Sequence, residues 1–132
     1  GYGIIIYDAY RPWFVTKMFW EGTPENLKHF VANPENGSSH NKGCAIDIGL
    51  YDIETGESID MISGYDEFTE RAYPNYMGGS KKQRDIRDIL IQVMERNDFT
   101  VYEYEWWHFN YNKCDSGIMN YSFSDLDSLN SV

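Results

Sequence analysis

The stretch over residues 38–50, "SSHNKGCAIDIGL", sets a polar loop bearing His40 directly against an apolar strand that is interrupted by one carboxylate, Asp47. Alternation from Cys44 to Tyr51 puts Ile46, Ile48 and Leu50 on one face and Ala45, Asp47 and Gly49 on the other. One face is therefore core, and the other a cleft floor with small neighbours around a carboxylate. A carboxylate in such a run is costly unless something positive sits against it. The chain has only three histidines, and one of them lies seven residues ahead of this aspartate.

Upstream, "GIIIY" reads as a buried strand from its β-branched run, and "DAYRP" turns the chain out, leaving Arg11 at the strand's exit with Pro12 in a first helical turn. "WFVTKMFW" is too apolar for a solvated helix. "TPENLKHFVA" offers Thr23 as a cap, Pro24 at the first helical position and Glu25 in the first turn, so two short packed helices are expected. "NPENGSS" is loop and leaves His40 at its end. Downstream, "DIETGES" reads as a hairpin turn around Thr55 and Gly56 that returns through "IDMI" into the irregular polar stretch "SGYDEFTERAYPNYMGG", and long loops of this kind are often functional. Ser80 with Gln83 forms a capping box, and Ile86, Ile89, Leu90, Val93 and Met94 recur at helical spacing, predicting an amphipathic helix over about 80–97 with a core-facing stripe. "FTVYEYEWWHFNY" is strand-like, and the tail "SFSDLDSLNSV" reads as frayed after one last possible strand. With no repeats and no linker, residues 1–132 are expected to form one domain.

Charge narrows the function classes. Twenty-one acidic against 11 basic residues give a formal charge of −10, which argues against a nucleic-acid backbone or an anionic membrane surface as partner. No apolar run approaches the ~20 residues needed to span a bilayer. Cys44 and Cys114 have no CxxC spacing and read as two free thiols, Cys44 as packing rather than nucleophile, which points to a reducing, cytoplasmic compartment unless an export leader has been removed. The opening "GYGIIIYDAY" has no initiator Met, so a processed or truncated product is expected.

"EWWH" supplies the missing partners, because Glu105 and His108 lie near the end of a predicted strand as His40 and Asp47 lie on another. Two imidazoles and one carboxylate, with a fourth position left open, are the usual equipment of a catalytic zinc site. His40, Asp47 and His108 are the candidate ligands. Glu105 and His108, three apart, would face opposite sides of a regular strand, so a bend near Trp106 and Trp107 is required for both to reach the site. Glu105 then suits a general base that takes a proton from water and passes it to a leaving amine. Arg11, permanently charged, could hold a tetrahedral oxyanion. Trp106 and Trp107 read as packing that walls and dries the site, and His29, with no acidic partner at ligand spacing, as an ordinary helix residue.

Ser38-x-His40-x-x-Gly43-x-Ala45-x-Asp47 followed by Glu105-Trp106-Trp107-His108 resembles the VanX-type zinc D-Ala-D-Ala dipeptidases, within the wider group of zinc D,D-peptidases. The likeness runs from "GYGIIIYDAYRP" through "MISGYDEFTER" to "MERNDFTVYEYEWWHFNY". It implies a hedgehog-like α+β fold, a small central, mostly antiparallel sheet flanked by helices. It also implies one zinc ion on His40, Asp47 and His108, Glu105 as base, Arg11 as transition-state stabiliser, Asp66 on the free amine of a small D,D-dipeptide, and Ser38 and Ser39 near its carboxylate end. Related enzymes serve glycopeptide resistance or peptidoglycan turnover in the cell wall. Two features depart from the family: a short connection between Arg11 and His40 without the family's N-terminal segment, which would open the cleft to longer peptides, and "ERAYPNY" in place of a histidine-rich stretch. The alternatives are a D,D-carboxypeptidase or peptidoglycan endopeptidase, a non-catalytic zinc-bearing binding module, and metal storage or sensing.

Overall fold

The computed structural model describes residues 1–130. Strand β1 (Tyr2–Asp8) is followed by helix α1 (Trp13–Gly22), a short 3-10 segment (Glu25–Phe30), a 3-10 turn (Ser39–Lys42) and strand β2 (Ala45–Asp52). A 3-10 turn (Glu70–Ala72), helix α2 (Lys81–Arg96), strands β3 (Phe99–Tyr102) and β4 (Glu105–Tyr111), and helix α3 (Phe123–Leu129) complete the order. The strands form one antiparallel sheet in the order β1-β2-β4-β3, so the architecture is α+β, as expected.

β2 is the pivot of the sheet. Its alternation holds, with Ile48 and Leu50 buried in a core that also takes Met61, Ile86, Leu90, Met94, Trp106, Trp107 and Phe109. α2 packs on β3 and β4, and its start is fixed by the Ser80–Gln83 capping box. Its buried stripe is narrower than the spacing suggests: Ile86, Leu90 and Met94 are core, while Ile89 and Val93 are about half exposed. The single predicted strand over "FTVYEYEWWHFNY" is a hairpin, β3 and β4, turning at Glu103 and Tyr104.

Several expectations are corrected. β1 is an edge strand, not a buried one, because among the described residues its only neighbour is β2, and Ile4 and Ile6 are left exposed at 55% and 63%. α1 forms, but Phe14, Met18 and Phe19 face solvent or the cleft. Thr23 does not cap the next segment; its hydroxyl donates back to the Phe19 carbonyl. "IDMI" returns through a single bridge, Tyr51 to Ser58, rather than a strand. Residues 112–121 contain no strand, and the tail forms α3 under a Ser122–Asp125 capping box, while the last two residues of that tail, 131 and 132, lie outside the described residues.

The largest correction concerns the cysteines. Antiparallel pairing sets Ala45 opposite Asn110, and the Tyr111 N–H donates to the Cys44 carbonyl, so the residues just before β2 and just after β4 meet at one end of the sheet. Cys44 and Cys114 are therefore bonded as a disulfide across a sequence separation of 70. The inference of free thiols fails, and the argument for a reducing compartment fails with it. Beyond Cys114 the chain straps the site-bearing loop: Met119 N–H donates to the Asn41 carbonyl, and Trp13 N–H at the start of α1 donates to the Met119 carbonyl.

Candidate active site

Sheet register brings the site together. Asp47 on β2 lies directly opposite His108 on β4. On the other side of β2 a bulge at Tyr7 shifts β1 so that Asp8 falls beside Asp47. His40 arrives from the 3-10 turn, which Ser38 caps with its side chain and Gly43 closes in the left-handed conformation (φ 66°) that glycine adopts without a Cβ penalty.

His40 Nε2, Asp47 Oδ1 and His108 Nδ1 form a triangle with sides of 3.1, 3.1 and 3.0 Å. The remaining ring nitrogens are engaged outward: His40 Nδ1 donates to the Ala9 carbonyl at 2.7 Å, and His108 Nε2 to Asn110 Oδ1 at 3.0 Å. Both inward nitrogens are thus left with lone pairs aimed at a carboxylate oxygen. Three acceptors at this spacing repel unless a proton or a cation lies between them. This donor set, with its histidines oriented by outer hydrogen bonds, is able to hold a metal ion. Burial works against the Asp47 charge, but where a proton rather than a metal ion fills the triangle, hydrogen bonds from His108 and His40 and their charge hold its carboxyl well below the usual aspartate range.

Glu105 sits 3.9 Å from His108 Nδ1, so both residues of "EWWH" reach the site. The required irregularity is present: Val101 pairs with Phe109 but Tyr102 pairs with Glu105, a register break at Trp106–His108. Burial, with the charges of Asp47 and Asp66 adding to it, pushes Glu105 up to about 8. Trp106 and Trp107 are fully buried behind it, and Trp106 Nε1 donates to Ser63 Oγ. Arg11 donates through Nε to Asp8 Oδ2 at 2.8 Å, its Nη2 lies 4.0 Å from Asp47 Oδ2, and its guanidinium stacks over Phe19.

Arg11, His40, Asp47, Glu105 and His108 border a cavity of about 540 Å³, whose wall also includes Ser38, Ser39 and Asp66, while Trp106 and Trp107 lie in the core and do not line it. Asp66 has a left-handed backbone (φ 58°), a conformation a non-glycine residue adopts at a cost, and partial desolvation followed by the field of Asp47 raises its carboxyl. Ser38 Oγ accepts from the His40 N–H, so this serine shapes the turn as well as the wall. His29 is exposed, packed beside Phe30 and Tyr104, away from the cavity.

Three contributors escape sequence reasoning. Asn41, wholly buried, donates to the Arg11 carbonyl and Thr16 Oγ1 and accepts from the Ser38 N–H, tying both halves of the site together. Asp8 anchors Arg11, and its i, i+3 placement in "DAYR" was the available signal. Tyr65 donates to Asp47 Oδ2, a contact no spacing announces.

Comparison with known proteins finds relatives of one kind. The chain is 32% identical over 128 residues to a D-alanyl-D-alanine dipeptidase of Enterococcus faecalis and 34% identical over 128 residues to that of Enterococcus faecium, each match covering 83% of this chain and 62% of the relative. It is 36% identical over 109 residues to the D-alanyl-D-alanine dipeptidase of Escherichia coli, covering 83% of this chain and 55% of the relative. The chain thus spans less than two thirds of the length of these relatives. The family model described as D-ala-D-ala dipeptidase matches residues 1–128, and the chain belongs to that peptidase family.

Proposed function

We propose that the chain hydrolyses D-alanyl-D-alanine to free D-alanine at a single zinc ion held by His40, Asp47 and His108. The observation that carries this reading is the triangle of inward-facing lone pairs with a buried carboxylic group, Glu105, beside it on the floor of one cavity. The relatives' names supply the substrate. When bound, zinc supplies Lewis acidity at the scissile carbonyl and eases deprotonation of water.

The protein's own groups do the rest. Glu105 takes a proton from the attacking water and delivers it to the amine nitrogen as the peptide C–N bond breaks, so that one water and one dipeptide yield two amino acids. A carboxyl raised by burial is suited to alternate between accepting and donating. Arg11, fixed by Asp8 and Phe19, stabilises the negative oxygen of the tetrahedral intermediate. Asp66 receives the free ammonium, and the Ser38 and Ser39 hydroxyls face the carboxylate end. Trp106 and Trp107, buried in the core between Glu105 and His108 of β4, fix that segment rather than line the cavity.

The volume of the cavity, about 540 Å³, favours a second reading, a D,D-carboxypeptidase or endopeptidase that takes longer peptides. Release of D-alanine from D-Ala-D-Ala and from its amine-acetylated form by the zinc-loaded chain separates the two. Cleavage of the free dipeptide alone supports the dipeptidase and the role of Asp66. Cleavage of both moves the assignment to carboxypeptidase, and cleavage of neither by zinc-loaded protein contradicts the proposal.

A further inference from the structure

Asp47 has two oxygens, and only one can face the histidines if the triangle is to keep its shape. Oδ1 lies 3.1 Å from His40 and 3.0 Å from His108, while Oδ2 is turned away and accepts a hydrogen bond from the Tyr65 hydroxyl at 3.1 Å. The cation near Oδ2, Arg11, stands at 4.0 Å and is committed to Asp8 at 2.6 Å. The phenol is therefore the closest donor to that oxygen.

The phenol is itself firmly held. Its ring stacks on Tyr7 at 4.3 Å with an interplanar angle of 20°, and meets the edge of Trp107 at 5.6 Å. Tyr7 is the bulged residue of β1, and its ring lies over Gly49, where a Cβ would collide with it. The bulge and the glycine thus create the seat that the Tyr65 ring occupies. The next residue is Asp66, which leaves the seat with a positive φ and enters the cavity wall.

We propose that Tyr65 is a positioning residue with two jobs: its hydroxyl pins Oδ2 of Asp47 so that Oδ1 faces the imidazoles, and its seated ring anchors the loop that presents Asp66. Tyr65 touches neither substrate nor metal in this account, and acts through its two neighbours. Partners of this kind, bonded to a metal ligand, commonly contribute 10–100-fold in metal affinity. The second job rests on the dipeptidase reading; the first rests only on the metal site.

The test measures zinc affinity by competition with a chromophoric chelator for the unsubstituted chain, Tyr65→Phe, Tyr65→Ala and the exposed-edge control Tyr2→Phe, followed by steady-state kinetics with D-Ala-D-Ala at saturating zinc. Tyr65→Phe keeps the ring and loses the bond, so its affinity should fall about 10- to 100-fold while Tyr2→Phe stays within about twofold. KM should hold within about twofold in Tyr65→Phe and rise severalfold in Tyr65→Ala, which frees the loop. Affinity of Tyr65→Phe equal to that of the unsubstituted chain overturns the first job, and an unchanged KM in Tyr65→Ala overturns the second. Failure of the unsubstituted chain to bind zinc would overturn the metal site and the first job with it. Normal zinc binding without dipeptide cleavage would overturn the dipeptidase reading and the second job alone.

Discussion

Replacing Cys114 by Ser isolates the disulfide, because Cys114 is partly exposed and the substitution leaves the core side chains in place. The bond closes a loop spanning a sequence separation of 70, so its removal restores loop-closure entropy to the unfolded chain. With a loss of 2.1 + 1.5R ln n cal/mol/K, a loop of this length corresponds to about 4.4 kcal/mol at 25 °C. A chain of 132 residues has an unfolding entropy of about 280 cal/mol/K at its midpoint, which converts that free energy into a fall in Tm of about 15 °C. Urea unfolding of the oxidised chain and of Cys114→Ser, followed by tryptophan fluorescence, measures the difference directly. The effect should disappear when both proteins are compared under strong reductant. A difference below about 1 kcal/mol between the oxidised chain and the variant would refute the reasoning, because no strand-anchored loop of this size then exists in the folded protein.

Other perturbations probe the site and its supports. In the metal-free chain, burial raises Glu105 from the ordinary 4.5 to about 8, so the folded state holds an extra proton between those values and loses stability as pH rises through them. Glu105→Gln, neutral throughout, should remove that slope and gain up to about 5 kcal/mol on the unsubstituted chain at pH 9 relative to pH 4, read by denaturant titration under chelator; parallel curves for the two proteins would contradict it. Asn41→Ala strips partners from the Ser38 N–H, the Arg11 carbonyl and Thr16, and should cost about 3 kcal/mol in urea unfolding; a loss under about 1 kcal/mol would show that these bonds do not tie the site together. Ser80→Ala removes the capping box of α2 and should lower stability by about 1 kcal/mol, a Tm shift of about 4 °C, with no effect on zinc binding.

Where the sequence was informative, the reason lies in restricted chemistry. A carboxylate between Ile46 and Ile48 has few ways to be stable, and three histidines leave few partners, so His40, Asp47 and His108 could be grouped before any register was known. Glu105 followed because its neighbour His108 needed a broken strand, and the β3–β4 register supplies the break. The edge position of β1 was hidden, since a run of isoleucines signals a strand but not how many neighbours it has. The disulfide was hidden for a related reason: Cys44 and Cys114 meet only because Ala45 pairs with Asn110. The Tyr65 contact depends on a bulge at Tyr7 and a left-handed turn at Asp66, neither of which has a strong local signature in β-branched or acidic residues. The capping box at Ser122, by contrast, was readable as S-x-x-D and still outweighed by the polar composition of the tail.

The central claim, that Glu105 moves the proton beside a metal held by His40, Asp47 and His108, is tested most directly by one comparison. Bound zinc per chain and D-alanine release from D-Ala-D-Ala are measured together for the unsubstituted chain and Glu105→Ala. The account predicts one zinc per chain in both proteins and a fall in release of about a hundred- to ten-thousand-fold in the variant. Release within about threefold of the unsubstituted rate, with zinc still bound, would contradict it.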